Sequence, residues 1–262
     1  MLAESKFSYL CNRCGLCCRD KVIALSPYDV IRIARADKIS TGEAVTRYTI
    51  RRGSLLRFLP DGRCAALAST RCTIHQGRPL ACRLYPLGLE RAPGADGREY
   101  VERFVQLEPA AGSLGIYGKA GTVAEFLDGQ AGGQSVGPYL DMVARYYPLV
   151  GNFRARVAAT VDFERVEPRE FWRRAAREAL AETNYDPNSL IDALFDPDGM
   201  GCGRASPEDT AVAHVAALGE MAAQERDGAT VAAAAVMLAT SLGYTPSEAI
   251  APRAITRVGS LR

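Results

Sequence analysis

The stretch Cys11-Asn12-Arg13-Cys14-Gly15-Leu16-Cys17-Cys18 decides how this chain is read. Its spacing is C-x2-C-x2-C-C. Two intervening residues let one tight loop aim successive sulfurs at a common point, as in zinc knuckles and ferredoxin loops. Gly15 supplies the backbone freedom such a loop needs. The adjacent pair is different, because neighbouring side chains diverge. Cys17 and Cys18 either serve two metals of a cluster, or one of them only supports the other.

Seven of the eight cysteines fall within the first 82 residues, and only Cys202 lies far away. The second group, Cys64, Cys72 and Cys82, is spaced C-x7-C-x9-C. Gaps that long cannot fix a site alone, so these residues read as the far wall of a site whose near wall is the first loop. Met1 to Lys6 is too polar and too short before Cys11 to be a signal peptide. The expected address is the cytoplasm, where disulfides are reduced and clustered thiols point to metal ligation. No apolar run approaches the ~20 residues of a membrane span, and Val231 to Leu242 reads as a buried helix. Hydrophobic residues make up 48% of the 262 and charged residues 24%, which excludes a disordered chain. Lys+Arg is 32 against Asp+Glu 30, so the net charge of +2 gives no electrostatic case for nucleic acid.

The pattern resembles the CxxCxxCC family, also called YkgJ-type, described as zinc- or iron-chelating domains. The resemblance rests on Cys11 to Cys18, on Cys64-Ala65-Ala66-Leu67, and on Cys72-Thr73-Ile74-His75-Gln76-Gly77-Arg78-Pro79-Leu80-Ala81-Cys82-Arg83-Leu84-Tyr85-Pro86. Weaker likeness continues through Thr122 to Leu127. Two positions depart from the pattern. His75 stands where relatives carry Tyr, and Glu108-Pro109-Ala110 is the nearest counterpart of a Cys-Pro-Gly in longer relatives. His75 and Glu108 are therefore candidate replacement ligands, and Cys202 would join them if the chain folds back. Some relatives are described as flagellin lysine N-methylases, which implies S-adenosylmethionine as an alternative cofactor and protein lysine methylation as an alternative activity.

The metal set implied is Cys11, Cys14, Cys17, Cys18, Cys64, Cys72 and Cys82, holding an iron-sulfur cluster or zinc. Seven thiolates plus His75 would fill two closed tetrahedral zinc sites. Four cysteines would hold a [4Fe-4S] cluster and leave the rest to cap it or bind a second metal. The zinc reading needs His75, which favours iron-sulfur. Arg13, Arg19, Lys21, Arg63, Arg71, Arg78 and Arg83 all lie within four residues of a cysteine. Cations there offset the negative charge of metal-bound thiolates; otherwise they are ordinary solvated surface.

The expected fold is α+β, with a cysteine-cluster domain at residues 1–107 and a helical region at 108–262 packed on it. Lys21 to Leu25, Leu55 to Phe58 and Arg71 to Ile74 read as strands, and Leu87 to Arg91 with Arg98 to Val105 as a hairpin closed by 92–97. Ser26-Pro27-Tyr28-Asp29 and Ser40-Thr41-Gly42-Glu43 cap two helices between the cysteine groups. Residues 108–121 read as a linker, Thr122 to Leu127 as a capped helix, and 128–138 as a flexible stretch. Helices are then expected at Tyr139 to Tyr147, about Pro148 to Ala159, Pro168 to Glu182 and Pro187 to Phe195. Two more follow. One is capped by Ser206, with Val212, Val215, Leu218 and Ala222 on one face; the other carries Val231, Ala235, Leu238 and Leu242.

Other chemistry is poorly supplied. Gly199-Met200-Gly201-Cys202-Gly203 lacks a preceding strand and reads as a structural loop rather than a nucleotide or S-adenosylmethionine site. There is no P-loop and no G-x-S-x-G, and Asp186-Pro187-Asn188 and Asp196-Pro197-Asp198 do not match an EF-hand. Only His75 and His214 could serve a histidine-based triad. Phe171-Trp172 with Arg173, Arg174 and Arg177 reads as core on one side and solvated charge on the other. Three classes of function remain: a metal-cluster protein with an unknown protein or small-molecule substrate, a methyltransferase, and a zinc-stapled interaction module.

Overall fold

The computed structural model describes residues 1–93, 100–129, 136–181, 185–186 and 188–244. The fold is α+β, with short strands in four small sheets and a helical C-terminal half. Strand β1 (Lys6–Leu10) enters the first cysteine loop, and a short 3-10 turn, Leu16–Cys18, closes that loop. Helices α1 (Pro27–Asp37) and α2 (Thr41–Tyr48) follow, each opened by the capping box expected from its Ser-x-x-acid start. Strands β2 (Thr49–Ile50) and β3 (Leu55–Leu56) pair, as do β4 (Leu67–Ala68) and β5 (Arg71–Cys72). Helix α3 (Leu80–Leu84) carries Cys82.

The expected hairpin forms from β6 (Leu87–Pro93) and β7 (Tyr100–Gln106), in register from Leu87↔Gln106 to Pro93↔Tyr100. Its turn lies outside the described residues. The apparent linker is in part a strand. β8 (Ile116–Thr122) runs antiparallel to β1, from Lys6↔Thr122 to Leu10↔Ile116. Small residues such as Gly118 hide it from a hydrophobic-pattern reading. Strand pairing therefore crosses residue 107. Lys21 to Leu25 is not a strand; Ala24 alone bridges Leu55.

The helical half comprises α4 (Val123–Asp128), α5 (Val136–Ala144), α6 (Tyr147–Thr160), α7 (Pro168–Leu180), α8 (Leu190–Ala193), α9 (Pro207–Gln224) and α10 (Gly228–Ser241). Thr122 supplies the capping box of α4. The helix expected over 187–195 is shorter, capped by Ser189; residue 187 is outside the described set. α10 is buried on nearly every side from Val231 to Ala239 and packs on α6, α7 and α8. A helix apolar all round must be interior, and alanine lets the neighbours approach. On α9 the buried face is Ala211, His214, Leu218 and Ala222, while Val212 is 46% exposed. The face is rotated from the expected one because His214 finds buried polar partners. Trp172 is core, 1% exposed, with Arg154 over its ring.

Two polar clasps join the halves. Arg52 grips Asp192 with both ends of its guanidinium, at 2.5 and 2.6 Å. Arg35 grips Asp198 the same way, at 2.9 and 2.7 Å. Asp198 also accepts from the Thr41 backbone N–H, and Asp196 accepts from the Thr41 hydroxyl. The turn Asp196-Pro197-Asp198 thus caps α2 from the other half of the chain.

Candidate metal centre

The two cysteine stretches meet. The Cys64 N–H donates to the Cys18 carbonyl at 3.0 Å, and Arg19 bridges Arg63 beside it. Leu67, which pairs with Cys72 across β4 and β5, reaches the Gly15 position. Gly15 has φ +74°, the left-handed conformation that favours glycine.

The second stretch is anchored from below by Asp29. Its carboxylate is buried and has four donors. One oxygen accepts from the Ser26 N–H and hydroxyl, the other from the Leu80 N–H at 2.8 Å and the Tyr139 hydroxyl at 2.6 Å. Leu80 is the first residue of α3, so one acid fixes α1, α5 and the helix of Cys82 together. Arg83 locks the same turn: it is 1% exposed and donates to the carbonyls of Arg78 and Gln76. Gly77 allows the close approach of this turn to α1, since a Cβ there would lie 2.0 Å from the Arg32 carbonyl oxygen.

The thiols have backbone donors suited to thiolate sulfur. Cys14 faces the N–H groups of Leu114 and Leu16, which hold its pKa below the usual thiol value. Cys64 faces the N–H of Ala66 and Cys72 that of Ile74, although burial dominates and raises both thiols. In all three cases a donor comes from two residues further on, a local turn that prepares the sulfur for negative charge. Burial also pushes Cys82 up, with Cys64 and Cys72 adding to the effect. Cys17 is raised first by its hydrogen bond with Cys18, the two sulfurs being 3.8 Å apart. All eight cysteines are free thiols, without a disulfide. As placed, no three Cys, His, Asp or Glu side chains among the described residues are close enough to hold a metal ion. The donor chemistry suits zinc or iron, and the loops that carry it are joined, but the sulfurs are not closed around one point.

The cations divide by role. Arg78 lowers the thiols of Cys72 and Cys82, and Lys21 that of Cys17. Arg63 instead pairs with Asp61, and Arg19 donates to the Asp61 carbonyl. His75 lies against the Arg78 guanidinium, 2.6 Å from Nε2. Desolvation, then Arg78, Arg13 and Arg83, keep its imidazole neutral. Glu108 is exposed. Cys202 is buried in the turn after α8, its sulfur 3.9 Å from the Met200 carbonyl. Its charged neighbours there are Arg204 and Asp198, not another cysteine. The Gly199–Gly203 stretch follows a helix and a turn, as a structural loop.

Sequence reading missed the aromatic wall. Tyr9 stacks edge-on against Tyr117 and Tyr85, with centroids at 5.0 and 6.0 Å. Burial pushes the Tyr9 phenol up, and Tyr85, Cys11 and Cys17 add to it. Asn12 donates to the Leu114 carbonyl at 2.7 Å, so residues 113 and 114 lie over the first loop. The available signal was the Tyr85-Pro86 end of the second cysteine stretch.

No helix among the described residues is long and apolar enough to cross a membrane. No curated protein and no solved structure matches the chain. Residues 10–103, the segment that holds both cysteine stretches, match the model of the CxxCxxCC family, whose description is "Putative zinc- or iron-chelating domain".

Proposed function

We propose that this chain is a metal-cluster protein that binds iron-sulfur, or else zinc, through Cys11, Cys14, Cys17, Cys18, Cys64, Cys72 and Cys82. The observation that carries the reading is the direct clasp of the two stretches at Cys18 and Cys64. Backbone N–H groups aimed at the sulfurs of Cys14, Cys64 and Cys72 support it. Iron-sulfur is favoured over a two-zinc site because His75, the eighth ligand that zinc would need, is taken up by Arg78. A bound cluster would supply electron transfer or an open iron for a substrate. Arg78 and Lys21 would offset its negative charge, and the helical region from residue 108 would offer the surface for a protein or small-molecule partner. The expected setting is the cytoplasm.

The test is anaerobic purification followed by metal and sulfide analysis with a visible spectrum. Iron and acid-labile sulfide in equal amounts, with a broad visible band bleached by dithionite, are expected. Colourless protein with stoichiometric zinc would replace the iron-sulfur reading with a structural zinc site.

A further inference from the structure

Adjacent side chains are expected to diverge, yet the Cys17 and Cys18 sulfurs lie 3.8 Å apart. The backbone around them is fixed on both sides. The Cys18 N–H donates to the Gly15 carbonyl at 3.1 Å, and the Cys18 carbonyl accepts from the Cys64 N–H at 3.0 Å. Gly15, at φ +74°, opens the 3-10 turn that carries both cysteines. Both are free and only half-buried. Two thiols at this separation need no third group to react with each other.

We propose that Cys17 and Cys18 are a reversible redox pair, closing to a vicinal disulfide under peroxide and reopening under a monothiol. One sulfur attacks a peroxide oxygen, breaks the O–O bond and becomes a sulfenic acid, releasing one water. The second sulfur attacks the first and expels its hydroxyl, which leaves with the thiol proton as a second water. Two thiols thus lose two hydrogens, and one peroxide becomes two waters. In the reverse step two monothiol molecules reduce the bond and leave as their own disulfide. The ring is short. Adjacent Cα atoms across the trans Cys17–Cys18 peptide are about 3.8 Å apart, below the roughly 4.4–6.8 Å that disulfides span. Such a bond is strained and readily reduced. It encloses almost no chain, so it contributes little as a staple. The pair therefore suits switching rather than bracing. Oxidation would withdraw two sulfurs of the N-terminal set from metal uptake. That consequence rests on the metal-binding reading above; the disulfide itself does not.

The test uses the full chain, reduced and stripped of metal with a chelator, then treated with one equivalent of hydrogen peroxide. Free thiols are blocked with iodoacetamide, and trypsin then cuts after Arg13 and Arg19. The peptide Cys14 to Arg19 should carry one label, on Cys14, and be two hydrogens lighter at Cys17–Cys18. The thiol count of the denatured chain should fall by two from eight, and glutathione should restore it. Zinc uptake should fall on oxidation and return with glutathione. A first disulfide formed elsewhere, such as Cys14 with Cys17 or Cys64 with Cys72, would overturn the assignment, as would a Cys17–Cys18 pair that stays reduced. Full zinc uptake by the oxidised chain would overturn the switch. Failure of the reduced chain to take up zinc would instead count against the functional reading, while the peptide map would still decide the disulfide.

Discussion

At the scale of single residues, buried polar atoms decide most. The His214 Nε2 lies 2.8 Å from the Ala193 carbonyl, which can only accept, so Nε2 carries the proton. Nδ1 must then accept from the Tyr146 hydroxyl at 3.0 Å. Burial outweighs the Ala193 bond and the nearby Asp196 and Asp198, and lowers the His214 pKa from 6.5 to about 4. The folded chain thus resists a proton that the unfolded chain accepts. This contribution is complete above about pH 6.5 and is lost as pH falls toward 4, on the order of 3 kcal/mol in all. Urea unfolding at pH 7.5 and 4.5 should show that drop, and His214→Gln should shrink it; equal slopes would contradict the account. Asp29→Ala removes an acceptor shared by four donors, and a loss of about 3 kcal/mol is expected by the same measurement. Both histidine and aspartate were visible in the sequence, yet only Ser26 and Asp29 as a capping box could be read. That Asp29 also holds Leu80 and Tyr139 depends on long-range packing that no local pattern encodes.

At the scale of elements, the caps were the most legible feature. Ser26, Ser40, Thr122 and Ser206 each start a helix where the sequence places one, because capping is local chemistry. Strands were less legible. β8 is short, rich in small residues and stabilised by β1 from across the chain, so it does not announce itself alone. The rotated face of α9 has a similar cause: His214 is buried through partners from α5–α6 and α8, which periodicity cannot foresee. The turn before α3 carries its own prediction. Gly77 touches the α1 backbone, so Gly77→Ala should push the second cysteine stretch off α1. A cost of about 1–3 kcal/mol is expected, read by thermal unfolding, with weaker zinc retention. Wild-type stability in that variant would show that the contact is loose.

At the scale of the whole molecule, the N-terminal cysteine-bearing half and the helical half are joined by buried charge. Arg52 and Asp192 are 8% and 0% exposed in their side chains. Removing one partner from such a pair strands the other, so Asp192→Ala should cost about 3–5 kcal/mol. Added salt should not reduce the wild-type stability by a comparable amount, since the pair is shielded from solvent; a strong salt effect would place it at the surface. The proposed seven-cysteine set comes from spacing and resemblance, whereas the Asp29 anchor and the Cys18–Cys64 clasp that join its two stretches come from the fold.

The central claim is that sulfurs from both stretches bind the same inorganic centre. The most direct test is the metal-to-protein ratio of the anaerobically purified chain beside Cys14→Ser/Cys17→Ser and Cys64→Ser/Cys72→Ser. Loss of either pair should release metal held by the other stretch, leaving both variants nearly empty of iron and zinc. A wild-type chain free of both metals, or two variants that each keep a separate share, would contradict it.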